Sequence, residues 1–133
     1  MKRSSAPMPR PHPPFKPCPC GSGRSYAACC GPHHSGEQDA PTPEALMRSR
    51  YSAYALADAD YLRRTWHPDT CPPDLDLNDG TRYTGLKIHR AEGDEVEFTA
   101  TLKAPGGQTH RMRERSRFVR LGEGWVYLDA APE

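Results

Sequence analysis

Four of the five cysteines fall within thirteen consecutive residues, as Cys18-Pro19-Cys20 and Cys29-Cys30, and Cys71 stands alone. Zinc takes four ligands in a tetrahedron with Zn–S near about 2.3 Å. Cys18, Cys20, Cys29 and Cys30 are therefore expected to hold one structural Zn2+, with iron the alternative for an all-sulfur site. Gly21, Ser22 and Gly23 allow a tight loop between the pairs, because glycine accepts positive φ without steric cost. A short helical turn over Arg24–Cys30 would return the second pair to the first, and Arg24 would offset thiolate charge. A closed set of four ligands folds a segment and leaves no open position for catalysis. Disulfides are the competing reading. They would have to cross from Cys18 or Cys20 to Cys29 or Cys30, since pairing within either doublet is strained, and they need an oxidising compartment. A redox reading, in which oxidation of these thiols releases the metal, uses the same residues. His33 and His34 lie near enough to replace a thiolate or to support the ligands from behind, although paired exposed histidines are ordinarily solvated. Cys71 reads as a small inert side chain.

A second candidate lies where a regular pattern breaks. In Thr109–Leu121, Met112, Glu114, Ser116 and Phe118 share one parity, and Arg113, Arg115, Arg117 and Val119 share the other. If Met112 and Phe118 face a core, Glu114 and Ser116 point inward with them. A carboxylate there needs a cation or donors, or it neutralises. It is either an anchor held by an arginine, a tyrosine hydroxyl or backbone N–H groups, or part of a site. Tyr51, Tyr54, Trp66, His67, Trp125 and Tyr127 are expected around the same concavity. His67 or His110 paired with Glu114 could move a proton. An enzyme reading of this concavity needs a volume of at least about 300 Å³ with convergent polar groups.

The elements that must position these groups follow from local signals. Thr42 is an N-cap with Pro43 at the first helical position and Glu44 in the first turn, predicting a helix over 43–57. Leu46, Arg50, Ala53 and Ala57 form one stripe of it, and Met47, Tyr51 and Tyr54 an adjoining one. Asp58 caps a second helix through Tyr61, Leu62, Thr65 and Trp66, which Pro68 terminates. Residues 69–80 are irregular and acidic, with Leu75 and Leu77 as anchors. From Tyr83 the period becomes two. Strands are predicted over 83–90, 95–103, 109–121 and 125–129, and Val96, Phe98, Ala100 and Leu102 share one face of the second. Helices followed by an antiparallel meander give an α+β domain over 41–131, with the helices on one face of a curved sheet.

At 133 residues the chain holds one ordinary domain and a small appendage. Ten of the fifteen prolines lie in 1–43, so residues 1–16 read as an extended, disordered basic tail and 17–36 as the cysteine knuckle. Residues 1–36 carry Lys2, Arg3, Arg10, Lys16 and Arg24 and no acid, whereas the remainder holds 13 basic and 17 acidic residues. A +5 arm against a −4 body suits a nucleic-acid, ribosomal or acidic protein partner. Phe15 and Tyr26 alone give little aromatic interleaving for base stacking, so nucleic acid is the weaker choice. No apolar run follows Met1-Lys2-Arg3 and none is long enough to span a bilayer. The expectation is a cytoplasmic protein with reduced thiols and no membrane partner.

Cys18-Pro19-Cys20-Gly21-Ser22-Gly23-Arg24-Ser25-Tyr26 with Cys29-Cys30-Gly31 resembles the SEC-C motif, a zinc knuckle also found on the bacterial protein-translocation ATPase. Residues 43–55, Tyr61-Leu62, Thr65-Trp66-His67-Pro68, 114–119 and Trp125-Val126-Tyr127 resemble the YchJ-like family. The similarity runs over about residues 17–130. The resemblance implies a knuckle joined to a nuclear-transport-factor-2-like domain, a cone of curved sheet and helices, with no established activity. It also implies a histidine before Glu114, where this chain has Arg113. The knuckle of the translocation ATPase contacts protein partners and the ribosome. The first expectation is thus a non-enzymatic zinc adapter that docks a protein or ribosome partner through the knuckle. The alternative is a small-molecule-binding, lyase or isomerase domain that uses the cone interior.

Overall fold

The computed structural model describes residues 9–132. Four strands, β1 (Arg82–Glu92), β2 (Glu95–Lys103), β3 (Thr109–Leu121) and β4 (Gly124–Ala130), form an open antiparallel sheet in the order β1-β2-β3-β4. The alternation expected of β2 holds, with Val96, Phe98 and Ala100 buried. On β3, Glu114 lies opposite Phe98 and Ser116 opposite Val96, which puts both polar residues on the core face. Breaks of register in β1 and β4 pairing, at Tyr83/Gly85, Ile88/Arg90 and Arg117/Phe118, bend the sheet.

Three helices lie before the sheet in sequence: α1 (Gly31–Ser35), α2 (Pro43–Leu56) and α3 (Ala59–Arg64). Thr42 Oγ1 accepts from the N–H of Ala45 at 3.1 Å, and the Asp58 carboxylate accepts from the N–H of Tyr61 at 3.1 Å. Both caps were legible in the sequence. Packed against the sheet, α2 completes the α+β arrangement, touching β1, β2 and β4, and α3 packs on α2. The second helix is shorter than expected. It stops at Arg64 because the next residues pair with β4: Tyr127 N–H donates to Thr65 O and His67 N–H to Tyr127 O, each at 2.8 Å.

The expectation of a disordered tail over 1–16 needs correction in its second half; residues 1–8 lie outside the described residues. Arg10 donates through its backbone N–H to Leu56 O at 2.7 Å and through Nη1 to Ala55 O at 3.2 Å. The last carbonyls of a helix have no intrahelical donors, and this segment supplies them. The short α1 was also not expected, since 33–40 reads as a polar linker. Among the described residues no helix is long and apolar enough to cross a membrane. A single cluster forms the core, in which Cys18, Cys20 and Cys30 pack with Leu46, Tyr51, Leu62, Phe98 and Phe118.

Candidate metal centre and interior cavity

The knuckle is a narrow hairpin. Pro17 and Ser25 form an antiparallel bridge, Cys18 N–H donates to Arg24 O at 2.9 Å, and Gly21 N–H donates to Cys18 O at 3.1 Å. Gly21 takes φ 77°, where a side chain would be strained. The chain then makes a 3₁₀ turn over Tyr26–Ala28, the expected return, and delivers Cys29 and Cys30 to the first pair. A Cβ on Gly31 would stand 2.8 Å from Tyr26 O, so the residue closing that turn has to be glycine.

All four sulfurs lie within 4.8 Å of one another, with Cys20–Cys29 at 3.6 Å and Cys29–Cys30 at 3.9 Å. A tetrahedron with Zn–S of about 2.3 Å puts its sulfurs about 3.8 Å apart, whereas a disulfide needs about 2.05 Å. The spacing fits a shared cation, and all five cysteines are free thiols. Hydrogen bonds from Cys18 and then Cys30 hold the Cys20 thiol well below its ordinary range. The same crowding, led by Cys18 and Cys20 and reinforced by burial, pushes Cys30 far up. Four sulfurs this close cannot all ionise without a cation between them. Cys71 stands apart, its Sγ 3.6 Å from Pro72 O.

The centre is set against one face of α2. Ser52, fully buried, places Oγ 3.3 Å from Cys30 Sγ and 3.5 Å from Cys18 Sγ. Arg48 donates from Nη1 to Cys20 O at 3.1 Å and from Nε to Glu44 at 3.3 Å. Burial pushes that guanidinium's pKa down, but the neighbouring Cys20 sulfur and Glu44 carboxylate more than restore it. His34 is not solvated and is no ligand. Its Nε2 lies 2.8 Å from Ser49 O and its Nδ1 2.6 Å from Tyr26 Oη, so Nε2–H donates and Nδ1 accepts. Burial lowers the His34 pKa and raises that of Tyr26 to about 12. Arg48, Ser49 and Ser52 are the supports that sequence reasoning missed, whereas His34 was named beside the thiolates and proves to be a support. The missed signal was a polar stripe at Arg48, Ser49 and Ser52, one face of a helix.

The opposite face of α2 walls a cavity of about 240 Å³ between helix and sheet. Tyr51, Tyr54, Trp66, Tyr127 and Glu114 all line it. Glu114 Oε2 accepts from Ser116 Oγ at 2.7 Å and Tyr127 Oη at 2.9 Å, the anchored arrangement with a tyrosine hydroxyl. Burial, then the neighbouring Glu114 charge, pushes the Tyr127 hydroxyl pKa up. Three candidates do not join them. His110 sits at the exposed start of β3, and the His67 ring turns to its own loop, where Nδ1 accepts from Asp69 N–H at 3.0 Å. Trp125 lies in a separate depression beside Leu46 and Tyr61. No histidine therefore lines the cavity with Glu114, and the volume is below the roughly 300 Å³ set for an enzyme site.

Comparison with known proteins places both parts. Residues 42–130 match the family model described as YchJ, middle NTF2-like domain, and residues 16–32 match the SEC-C motif. A UPF0225 protein of Deinococcus radiodurans is 82% identical over 119 residues, covering 90% of this chain and 92% of the relative. One from Streptomyces coelicolor is 51% identical over 87% of this chain and 95% of its own. Among solved structures, a SEC-C motif containing protein from Rhodopseudomonas palustris superimposes with TM-score 0.74 at 34% identity, covering 87% of this chain and 98% of that one. Another, from Psychrobacter arcticus, gives TM-score 0.66 at 26% identity, covering 90% and 85%.

Proposed function

The chain belongs to the YchJ-like family, a SEC-C motif followed by an NTF2-like domain, and from that premise we propose a structural zinc protein that works as an adapter. Cys18, Cys20, Cys29 and Cys30 hold one Zn2+, and the closed ligand set fastens the knuckle to α2. The observation that carries this reading is the sulfur spacing, 3.6 and 3.9 Å against about 3.8 Å for a zinc tetrahedron. The outer side of the knuckle is the docking surface. Phe15, just before the knuckle in sequence, is 78% exposed, with basic residues near it and no acid before Glu37. An exposed aromatic within a positive field suits an acidic protein surface, on the ribosome or elsewhere in a reducing cytoplasm.

Elemental analysis of the full-length chain tests the metal. About one zinc per chain is expected, with loss in Cys29→Ser, where the least buried of the four sulfurs is removed. A stoichiometry well below one in metal-replete preparations, or iron in its place, overturns the zinc assignment. A photo-crosslinking amino acid at position 15 tests docking separately. A defined protein adduct in cells supports the adapter, and its absence removes that half while leaving the metal untouched.

A further inference from the structure

Arg50 is the most unusual charge in the molecule. It is 4% exposed, and none of the ion pairs among the described residues includes it. A buried cation is ordinarily paired, because removing it from water is costly. Arg50 is instead stacked between two rings, with its guanidinium carbon 4.7 Å from the centroids of both Trp66 and Tyr127. Nη1 is committed to Leu62 O at 3.0 Å and Thr65 Oγ1 at 2.8 Å. Nε and Nη2 have no well-aligned acceptor among the described residues, the Tyr54 hydroxyl being the near neighbour, and Arg50 lines the cavity. With both faces covered and one edge bonded, the edge left over is the fork that grips a carboxylate with two parallel hydrogen bonds.

Glu114, on β3 and bonded to the hydroxyl of the same Tyr127, adds a second requirement. Glu114 Oε2 takes both neighbouring hydroxyls, leaving Oε1 without a partner among the described residues. An anion at Arg50 with nothing for Glu114 would leave that carboxylate unanswered. The rest of the lining is aromatic and sulfur-containing, with Met47 and Tyr51 from α2 and Tyr83 and Phe98 from the sheet. Met112, 42% exposed and also lining the cavity, marks its mouth. At about 240 Å³ the space lies below the range for drug-sized ligands and takes something smaller.

We propose that the cavity binds a small aromatic carboxylate that carries a hydrogen-bond donor at its opposite end. The carboxylate engages the Nε/Nη2 edge of Arg50, the ring packs among the aromatic walls, and the donor reaches Glu114 Oε1. This assignment stands on the cavity lining and is separate from docking by the knuckle; the metal enters only by holding α2 in place.

The experiment is an NMR titration of the full-length zinc-loaded chain with three probes: 4-hydroxybenzoate, its amide 4-hydroxybenzamide, and benzoate. The protein has two tryptophans, and their indole N–H groups are both buried without a partner. Only Trp66 lines the cavity. Saturable movement of the Trp66 indole signal is expected with 4-hydroxybenzoate by about millimolar concentration, with the Trp125 signal unmoved. The amide, which lacks the charge, should bind at least about tenfold more weakly, as should benzoate, which lacks the donor. Arg50→Met should abolish the preference of acid over amide. If that variant does not fold, the comparison on the native chain decides by itself. Equal binding of acid and amide, or shifts confined to surface signals, overturns the proposal; so does equal binding of benzoate.

Discussion

Replacing Ser52 by alanine removes one oxygen from a fully buried position and leaves the helix propensity of α2 intact. That oxygen lies 3.3 Å from Cys30 Sγ and 3.5 Å from Cys18 Sγ, and its hydrogen can serve one sulfur at a time. When the sulfurs are metal-bound thiolates the bond is charge-assisted, and the outer partners of a metal centre are typically worth tenfold to a hundredfold in affinity. Ser52→Ala should therefore weaken zinc binding by about 10- to 100-fold, or about 1.4–2.8 kcal/mol. The assay is competition with a chromophoric chelator on the full-length chain at fixed pH and salt. Ser49→Ala is the matched control. Ser49 is equally buried on the same helix, but its hydroxyl serves Tyr61 Oη at 2.7 Å and Leu46 O at 2.9 Å. It should lose about 1–3 kcal/mol of folding stability through the orphaned tyrosine hydroxyl, with the chelator midpoint nearly unchanged. If the two variants release zinc alike, or Ser52→Ala holds it as tightly as the native chain, the role given to Ser52 is wrong.

Glu114→Ala should cost about 1–3 kcal/mol, because it strands the buried Ser116 hydroxyl, whereas Glu97→Ala breaks only a partly exposed pair with Arg113 worth about 0–1 kcal/mol. Thermal melts of equal midpoint would refute the inward placement of Glu114. Ala57 ends α2 with φ 59°, a conformation that suits glycine, so Ala57→Gly should stabilise by about 0.5–1 kcal/mol in denaturant titration; a loss of stability would argue against that strain. His34 is held neutral by burial, its folded pKa lying below the ordinary value near about 6.5. Its stability contribution is complete above that value and is lost as pH falls toward the folded pKa, since the unfolded chain takes up the proton first. Native protein should therefore lose more stability between pH 7.5 and 5.5 than His34→Gln, a comparison in which the acid sensitivity of the thiolates cancels; parallel losses would exclude His34 as the cause.

Much of this architecture was legible because its signals are local. Thr42 and Asp58 announce helix starts through side chains that reach only three residues ahead, and β2 announces itself by strict alternation. The cysteine cluster is legible because ligand types and spacing lie within one short stretch. What escaped depends on distant partners. Ser52 and Cys18 are 34 residues apart, and Arg10 and Ala55 are 45 apart. A serine on a polar helix stripe looks solvated until a second segment covers it. His67, His110 and Trp125 were chosen by residue type, but the site is set by which face and which end of an element a residue occupies. His110 lies on the correct face of β3 but at its exposed end, and His67 lies on a segment whose backbone is spent on β4. Arg50 was visible as a member of a helix stripe. Its burial without an acid is a fact of three dimensions.

The two candidate sites share a helix in a way that neither motif alone suggests. With about 100° per residue, Ala45, Arg48, Ser49 and Ser52 occupy one side of α2, and Met47, Arg50, Tyr51 and Tyr54 the side nearly opposite. The first side faces the sulfurs and His34; the second is the cavity wall. Cys18, Cys20 and Cys30 also belong to the same buried cluster as Tyr51 and Phe98, so no layer of solvent separates knuckle from domain. An ion that fixes those sulfurs therefore fixes the seat of α2, and the seat of α2 fixes Arg50. A knuckle tethered by a linker could dock partners equally well and would need neither Ser52 nor Arg48. Burying three of the four sulfurs in the core ties any ion they hold to the helix that shapes the cavity.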